Sequence, residues 1–190
     1  MRTLIAYYSL TQSNENLALR LQKKIGCDIL KIEEHGKRTT LTILLDLLFN
    51  RKPAIKTKPC SVKVYDRVIL IAPIWAAKIA SPLRSFIEQE KVNIGRYSFL
   101  AFCGGADGQR EKIVRELVEL VGKKPACVFE LWLKDLPLPR EKKDSIKWNK
   151  GYIMDDRDFK FFEPKIDAFI NASGVRISSG LEEEMHEPSY

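Results

Sequence analysis

The sequence predicts a single doubly wound α/β domain, one five-stranded parallel sheet with helices on both faces. Three observations predict it. Strand-like and helix-like patterns alternate five times along the chain, as a series of βα units requires. One strand-like run, Val68-Ile69-Leu70-Ile71, is continuously apolar and rich in β-branched residues, which suits a parallel strand covered on both faces. The 190 residues suffice for one substantial core and contain no internal repeat or second domain. Right-handed crossovers with one reversal of winding direction complete the topology.

Each element has its own signal. Thr3 to Tyr8 forms the first strand, because Leu4, Ile5, Ala6 and Tyr7 are apolar and little nearby is charged. From Asn16 the chain is helical, with Leu17, Leu21 and Ile25 on one face and Glu15, Arg20, Gln22 and Lys23 elsewhere. Cys27 to Glu33 holds the second strand, and Thr40 to Phe49 a strongly apolar helix. Asp66 to Pro73 contains the third strand. Ser81-Pro82 opens the next helix, Ser as N-cap and Pro in the first turn, and Leu83, Phe86 and Ile87 form its apolar face. Tyr97 to Cys103 is the fourth strand, broken by Gly104-Gly105. Arg110 to Val121 is an amphipathic helix closed by Gly122 and Pro125. Ala126 to Leu133 is the fifth strand. Asp135 to Asp158 is polar and aperiodic, an excursion before a last helix marked by Phe162, Ile166, Phe169 and Ile170. The domain is expected over residues 1–175, followed by a flexible tail over 176–190 that is acidic at Glu182-Glu183-Glu184.

Composition narrows the function classes. With 45% apolar and 30% charged residues the chain is neither disordered nor fibrous. No apolar run approaches the roughly 20 residues of a membrane span, so a soluble, cytoplasmic protein is expected. Cys27, Cys60, Cys103 and Cys127 are widely spaced and only His35 and His186 accompany them, which argues against a zinc or dithiol site. A net charge of +7 permits contact with nucleic acid. The cations are nevertheless scattered among 25 carboxylates without aromatic stacking motifs, so solvated surface is the better reading and no nucleic-acid partner is expected.

In a doubly wound sheet, ligands bind beyond the carboxyl ends of the strands near the reversal point. Three such ends are unusual here. Ser9, Thr11 and Ser13 supply hydroxyls and Gln12 and Asn14 amides, next to helical N–H groups that lack internal partners and attract an anion. Taken alone, that turn fits a phosphate site and a simple cap by Ser13 or Thr11 equally well. Pro73-Ile74-Trp75-Ala76-Ala77-Lys78 sets an aromatic plane beside small residues, suited either to cover a flat heterocycle or to pack as ordinary core. Cys103-Gly104-Gly105-Ala106-Asp107-Gly108 is nearly free of side chains and lets a ligand approach backbone, or serves as a flexible turn.

Together these loops resemble those of the flavodoxin-like family. Tyr8-Ser9-Leu10-Thr11-Gln12-Ser13-Asn14-Glu15 is similar to its phosphate loop, Ala72-Pro73-Ile74-Trp75 with Ser81-Pro82-Leu83-Arg84 to its second loop and following helix, and Phe102-Cys103-Gly104-Gly105 to its third. The similarity covers residues 1–135 and implies strand order 2-1-3-4-5. It implies noncovalent FMN, the 5′-phosphate on Ser9, Thr11, Gln12, Ser13 and Asn14, and the isoalloxazine between Pro73–Lys78 and Cys103–Gly105. Gln12 stands where the family has Gly, which allows a tight turn around the phosphate, so Gln12 must find a compatible backbone angle and direct its side chain outward. The positive net charge departs from acidic electron shuttles and argues against docking onto basic redox partners.

The implied function is electron transfer through bound flavin, as a carrier or a small NAD(P)H-dependent reductase serving a quinone-type acceptor, with a redox protein or small molecule as partner. No catalytic acid or base and no metal are expected. A flavin-free binding module is the alternative. A phosphoacceptor receiver fails because the first and third strands end in Ser9 and Pro73 rather than acidic residues, and a nicotinamide site fails for lack of Gly-x-Gly-x-x-Gly. The helix at Thr40–Phe49 is polar only at its opening Thr40, Thr42 and Asp46, so a homodimer through that helix is expected.

Overall fold

Strands that are apolar on both sides can satisfy burial only inside a two-faced sheet, and their alternating side chains sort onto the two faces. A computed structural model describes residues 1–36, 39–49, 51–56, 61–138 and 152–175. Its five-stranded sheet comprises β1 (Thr3–Tyr7), β2 (Asp28–Lys31), β3 (Arg67–Ile71), β4 (Arg96–Cys103) and β5 (Val128–Trp132). The order in space is β2-β1-β3-β4-β5, all parallel, as predicted. Tyr7 stands opposite Lys31 and Ile71, and Cys103 opposite Trp132, so the reversal of winding lies between the ends of β1 and β3.

The helices are α1 (Ser13–Ile25), α2 (Thr40–Phe49), α3 (Ser81–Glu90), α4 (Gln109–Val121) and α5 (Asp156–Ser173). One core layer joins Leu4, Val68, Leu70 and Phe99 to Leu83 and Phe86 of α3 and Ile113 and Leu117 of α4. The other joins Ile5, Ile69, Ile71 and Leu100 to Leu17 and Leu21 of α1 and Ile166 and Phe169 of α5. Nearly all these side chains are at most 1% exposed. At about 25 cal/mol per Å² of apolar surface, such double burial is the main stabilising term of the sheet.

Several boundaries differ for identifiable reasons. Helix α1 begins at Ser13 rather than Asn16, and neither Ser13 nor Thr11 caps it. The N-cap is Gln12, left-handed at φ 71°, with no side-chain cap bond. The cap of α3 is Ala80 and not Ser81, whose hydroxyl instead donates to Asp46 Oδ2 at 2.7 Å. Helix α5 begins inside the expected excursion because Asp155 and Asp158 form a reciprocal capping box. Two short antiparallel ladders were not anticipated: Glu33–Glu34 with Ile55–Lys56, and Ile74–Trp75 with Lys78–Ile79.

Helix α2 has the expected bounds; Ile43 and Leu45 are half-buried and Phe49 is 70% exposed. The side chains of Leu41, Leu44, Leu47 and Leu48, Cys60, most of the excursion and the expected tail lie outside the described residues. Cys27, Cys103 and Cys127 are free thiols. Among the described residues, no helix is long and apolar enough to cross a membrane.

Candidate functional site

Beyond the carboxyl ends of β1, β3 and β4 lies a cavity of about 510 Å³, within the range of small-molecule sites. The three loops singled out above meet there. Thr11, Ser13, Asn14, Pro73, Ile74, Trp75, Ala76, Ala77, Cys103, Gly104 and Gly105 all line it. Among the described residues, none that lines the cavity carries a formal charge.

The first loop divides into ligand-facing and structural groups. Ser13 Oγ donates to the Tyr152 carbonyl and accepts from Met154 N at 2.9 Å. Asn14 Nδ2 donates to Phe102 O at 3.0 Å, while Phe102 N donates to Asn14 Oδ1 at 2.9 Å. Both side chains therefore hold the start of α1 against the 152–154 segment and β4, while both residues also line the cavity. What they leave toward the cavity is backbone N–H at a helix N-terminus. Thr11 is half-buried, lines the cavity and makes no side-chain hydrogen bond among the described residues. Ser9 and Gln12 do not line it. Ser9 Oγ is buried with no hydrogen-bond partner, and Gln12 is exposed at the left-handed φ of 71°.

The second loop is a tight hairpin. Trp75 stands opposite Lys78 and Ile74 opposite Ile79, with Ala76 at φ 48° and Ala77 at φ 58° between them. Positive φ at both central residues is what a two-residue hairpin needs, and Asn-Gly is its usual sequence. Alanine holds it at a cost of roughly 1–2 kcal/mol per residue. Outliers of this kind persist where surrounding structure over-determines them, and here α4 does so. Glu116 Oε2 accepts from Ile79 N at 2.8 Å, and Glu116 Oε1 pairs with Arg84 Nε at 3.1 Å. Burial raises the Glu116 pKa, against the lowering pull of the Ile79 N–H and of Arg84. Trp75 is 8% exposed and meets Tyr8 edge-on at 6.0 Å, so it is both core and cavity wall. Lys78 faces away, into a neighbouring depression with Lys52, Lys112 and Arg115.

The third loop rests on Trp132. A Cβ built on Gly105 would lie 2.5 Å from Trp132 Cγ, and Gly105 itself sits at φ +84°. Glycine is needed there for the indole beneath it as much as for access from above. Cys103 is buried; desolvation, then the charge of Glu130, push its thiol up to about 12. Such a thiol is not a nucleophile at neutral pH.

Leu10, Phe102 and Ala106, from the same loops, also line it among the described residues, as do Gln109, Leu133 and Tyr152, which were not foreseen. Gln109 was legible as the residue opening a helix after Gly108. Tyr152 was not, because its place depends on the Asp158 carboxylate, which accepts its hydroxyl at 2.7 Å, and on Ser13.

Comparison of the sequence with protein-family models and with curated proteins gives no match. Solved structures do match the fold. A flavoprotein from Lactobacillus acidophilus, crystallised in complex with FMN, superposes with a TM-score of 0.61 at 19% identity, over 68% of this chain and 92% of its own. A Bacteroides eggerthii protein gives a TM-score of 0.65 at 18% identity, over 92% and 99%. A flavodoxin, WrbA-like protein from Agrobacterium tumefaciens gives 0.51 at 12%, over 92% and 99%. At these identities the likeness establishes the flavodoxin-like fold.

Proposed function

We propose that this chain binds FMN noncovalently and passes electrons through it, as a carrier or as a small NAD(P)H-dependent reductase. The observation that carries the reading is the uncharged cavity at the reversal point, with the free Thr11 hydroxyl beside the N-terminus of α1 and the Trp75 wall opposite. That donor set suits a phosphate attached to a flat ring, and the FMN complex of the Lactobacillus acidophilus relative supports it. Thr11 and the first-turn N–H groups of α1 would hold the phosphate; Ile74, Trp75 and the Cys103–Gly105 backbone would hold the ring. Bound flavin supplies one- and two-electron redox chemistry. The residues around it orient it, exclude water and tune it by stacking.

Absorbance of the purified protein, followed by FMN titration, tests this. Wild type should bind FMN, and Thr11→Val should weaken binding about tenfold or more, since a hydrogen bond to a charged group contributes roughly 1.5–3 kcal/mol. Ser13→Ala should act mainly on stability, because its hydroxyl is engaged within the fold. A colourless protein that ignores added FMN favours the second reading, a flavin-free binding module. The loss of Ser13 and Asn14 side chains to internal bonds speaks for that reading. The acceptor, whether protein or small molecule, belongs to the proposal, as do a cytoplasmic location and a one-domain plan over 1–175. So does a homodimer through α2, which the exposed Phe49 supports. Sedimentation of wild type beside Phe49→Lys should show a dimer weakened by the substitution; a monomeric wild type at micromolar concentration removes it.

A further inference from the structure

Behind the third loop lies a buried polar cluster that the flavin reading does not use. Glu130, on β5, is 5% exposed, and its Oε2 accepts from two donors: Trp132 Nε1 at 2.6 Å and Gln109 Nε2 at 3.0 Å. Its Oε1 is buried with no hydrogen-bond partner. A buried acceptor left unpaired is costly, so a carboxyl group in this place calls for a reason. Indole N–H is a donor only, which makes Oε2 an acceptor whatever the state of the acid. Gln109 turns its NH₂ end to the same oxygen. The same nitrogen also reaches Cys103 Sγ at 3.5 Å; a thiol both donates and accepts weakly, so it is Glu130 that holds the orientation of the amide. Gln109 is 6% exposed and lines the cavity. With its nitrogen engaged, the amide oxygen is what it offers there.

We infer that Gln109 is a specificity residue whose carbonyl oxygen accepts a ring N–H of the bound ligand, and that Glu130 is the positioning residue that fixes its orientation. The inference rests on the flavin reading and sharpens it. Oxidised isoalloxazine carries a single N–H, at N3, flanked by two carbonyl groups. An amide free to flip would meet that edge with its donor or its acceptor, whereas one locked by Glu130 meets it with the acceptor alone. The lock also discriminates: a ring without this N–H leaves the buried oxygen unpaired.

The test compares FMN with 3-methyl-FMN, in which the N3 hydrogen is replaced, by fluorescence titration of purified protein. Wild type should bind FMN about tenfold or more tightly than 3-methyl-FMN. Gln109→Leu should bring the ratio to about one. Glu130→Leu should lower it, and Glu130→Gln should keep it, because a carbonyl at 130 still accepts both donors. A wild-type ratio near one overturns the inference while leaving FMN binding intact. So does a ratio unchanged by Gln109→Leu, which would mean that the methyl group collides elsewhere. A ratio untouched by Glu130→Leu removes Glu130 from its positioning role. Wild type that binds neither flavin overturns the cofactor reading itself, and this inference with it.

Discussion

Placing a methyl group on Gly105 tests how the third loop is held. The added Cβ would meet Trp132 Cγ at 2.5 Å, Cδ2 at 2.7 Å and Cβ at 2.8 Å. Ordinary carbon contacts lie near 3.5–4 Å, so the overlap is about 1 Å. The indole cannot simply withdraw. Its Nε1 is held by Glu130 at 2.6 Å, and Lys134 Nζ covers the ring at 4.0 Å from its centroid. Overpacking of this kind costs roughly 1–3 kcal/mol. Alanine at φ +84° adds about 1–2 kcal/mol, and the lost chain entropy of glycine returns about 0.4–1 kcal/mol. Gly105→Ala should therefore destabilise by about 1.5–4 kcal/mol. Urea unfolding of a double-mutant cycle with Trp132→Ala separates the two contributions. In that background the two ring contacts are gone, and the cost of Gly105→Ala should fall by about 1 kcal/mol or more. Gly104→Ala is the control: nothing lies within 4 Å of its Cβ, and its effect should stay within about 0.5 kcal/mol. Equal costs of Gly105→Ala in both backgrounds would show that Trp132 does not support the loop.

Further outcomes follow from the same geometry. Gln12→Gly and Ala76→Gly relieve left-handed backbone at φ 71° and φ 48°, so each should raise the urea midpoint, corresponding to about 0.5–1 kcal/mol of added stability after the entropy of the unfolded chain is counted; a lowered midpoint at either site contradicts the assigned turn. Trp75→Leu should brighten the emission of bound FMN and weaken its binding, and unchanged values of both would make Trp75 core alone. Iodoacetamide at pH 8 should leave Cys103 unlabelled in native protein and label it after denaturation, read by peptide mass, because the thiol is pushed up to about 12. The same shift sets a pH slope. Between the ordinary thiol value near 8.5 and about 12, the unfolded chain loses this proton while the folded chain keeps it, so stability should fall as pH rises. Cys103→Ala should flatten that slope, and Cys27, raised to about 11, contributes in the same direction.

The parallel sheet, its five βα units and the meeting of the three loops around one cavity were legible in the sequence, because each depends on short-range patterns. A continuous apolar run such as Val68–Ile71 suits a doubly covered sheet, and a doubly wound sheet has its crevice beyond the strand ends. The sequence asks of Gln12 only a compatible backbone angle and an outward side chain; that the angle is left-handed, φ 71°, is visible only in the structure. What only the tertiary structure decided was the use made of each polar side chain. Ser13 and Asn14 look like ligand donors in the sequence. Yet Tyr152, Met154 and Phe102, 88 or more residues away, take their hydrogen-bonding capacity. Ser81 looks like a cap and binds Asp46 instead. Gly105 looks like a site of ligand approach, and Trp132 fills the space below it. Glu130 and Gln109 carry no sequence signal as a pair, since strand and helix bring them together across 21 residues. A hydrogen bond is short-ranged and is won by whichever partner the fold brings within about 3 Å. Hydrophobic periodicity, by contrast, is written along the chain and survives without knowledge of the partner.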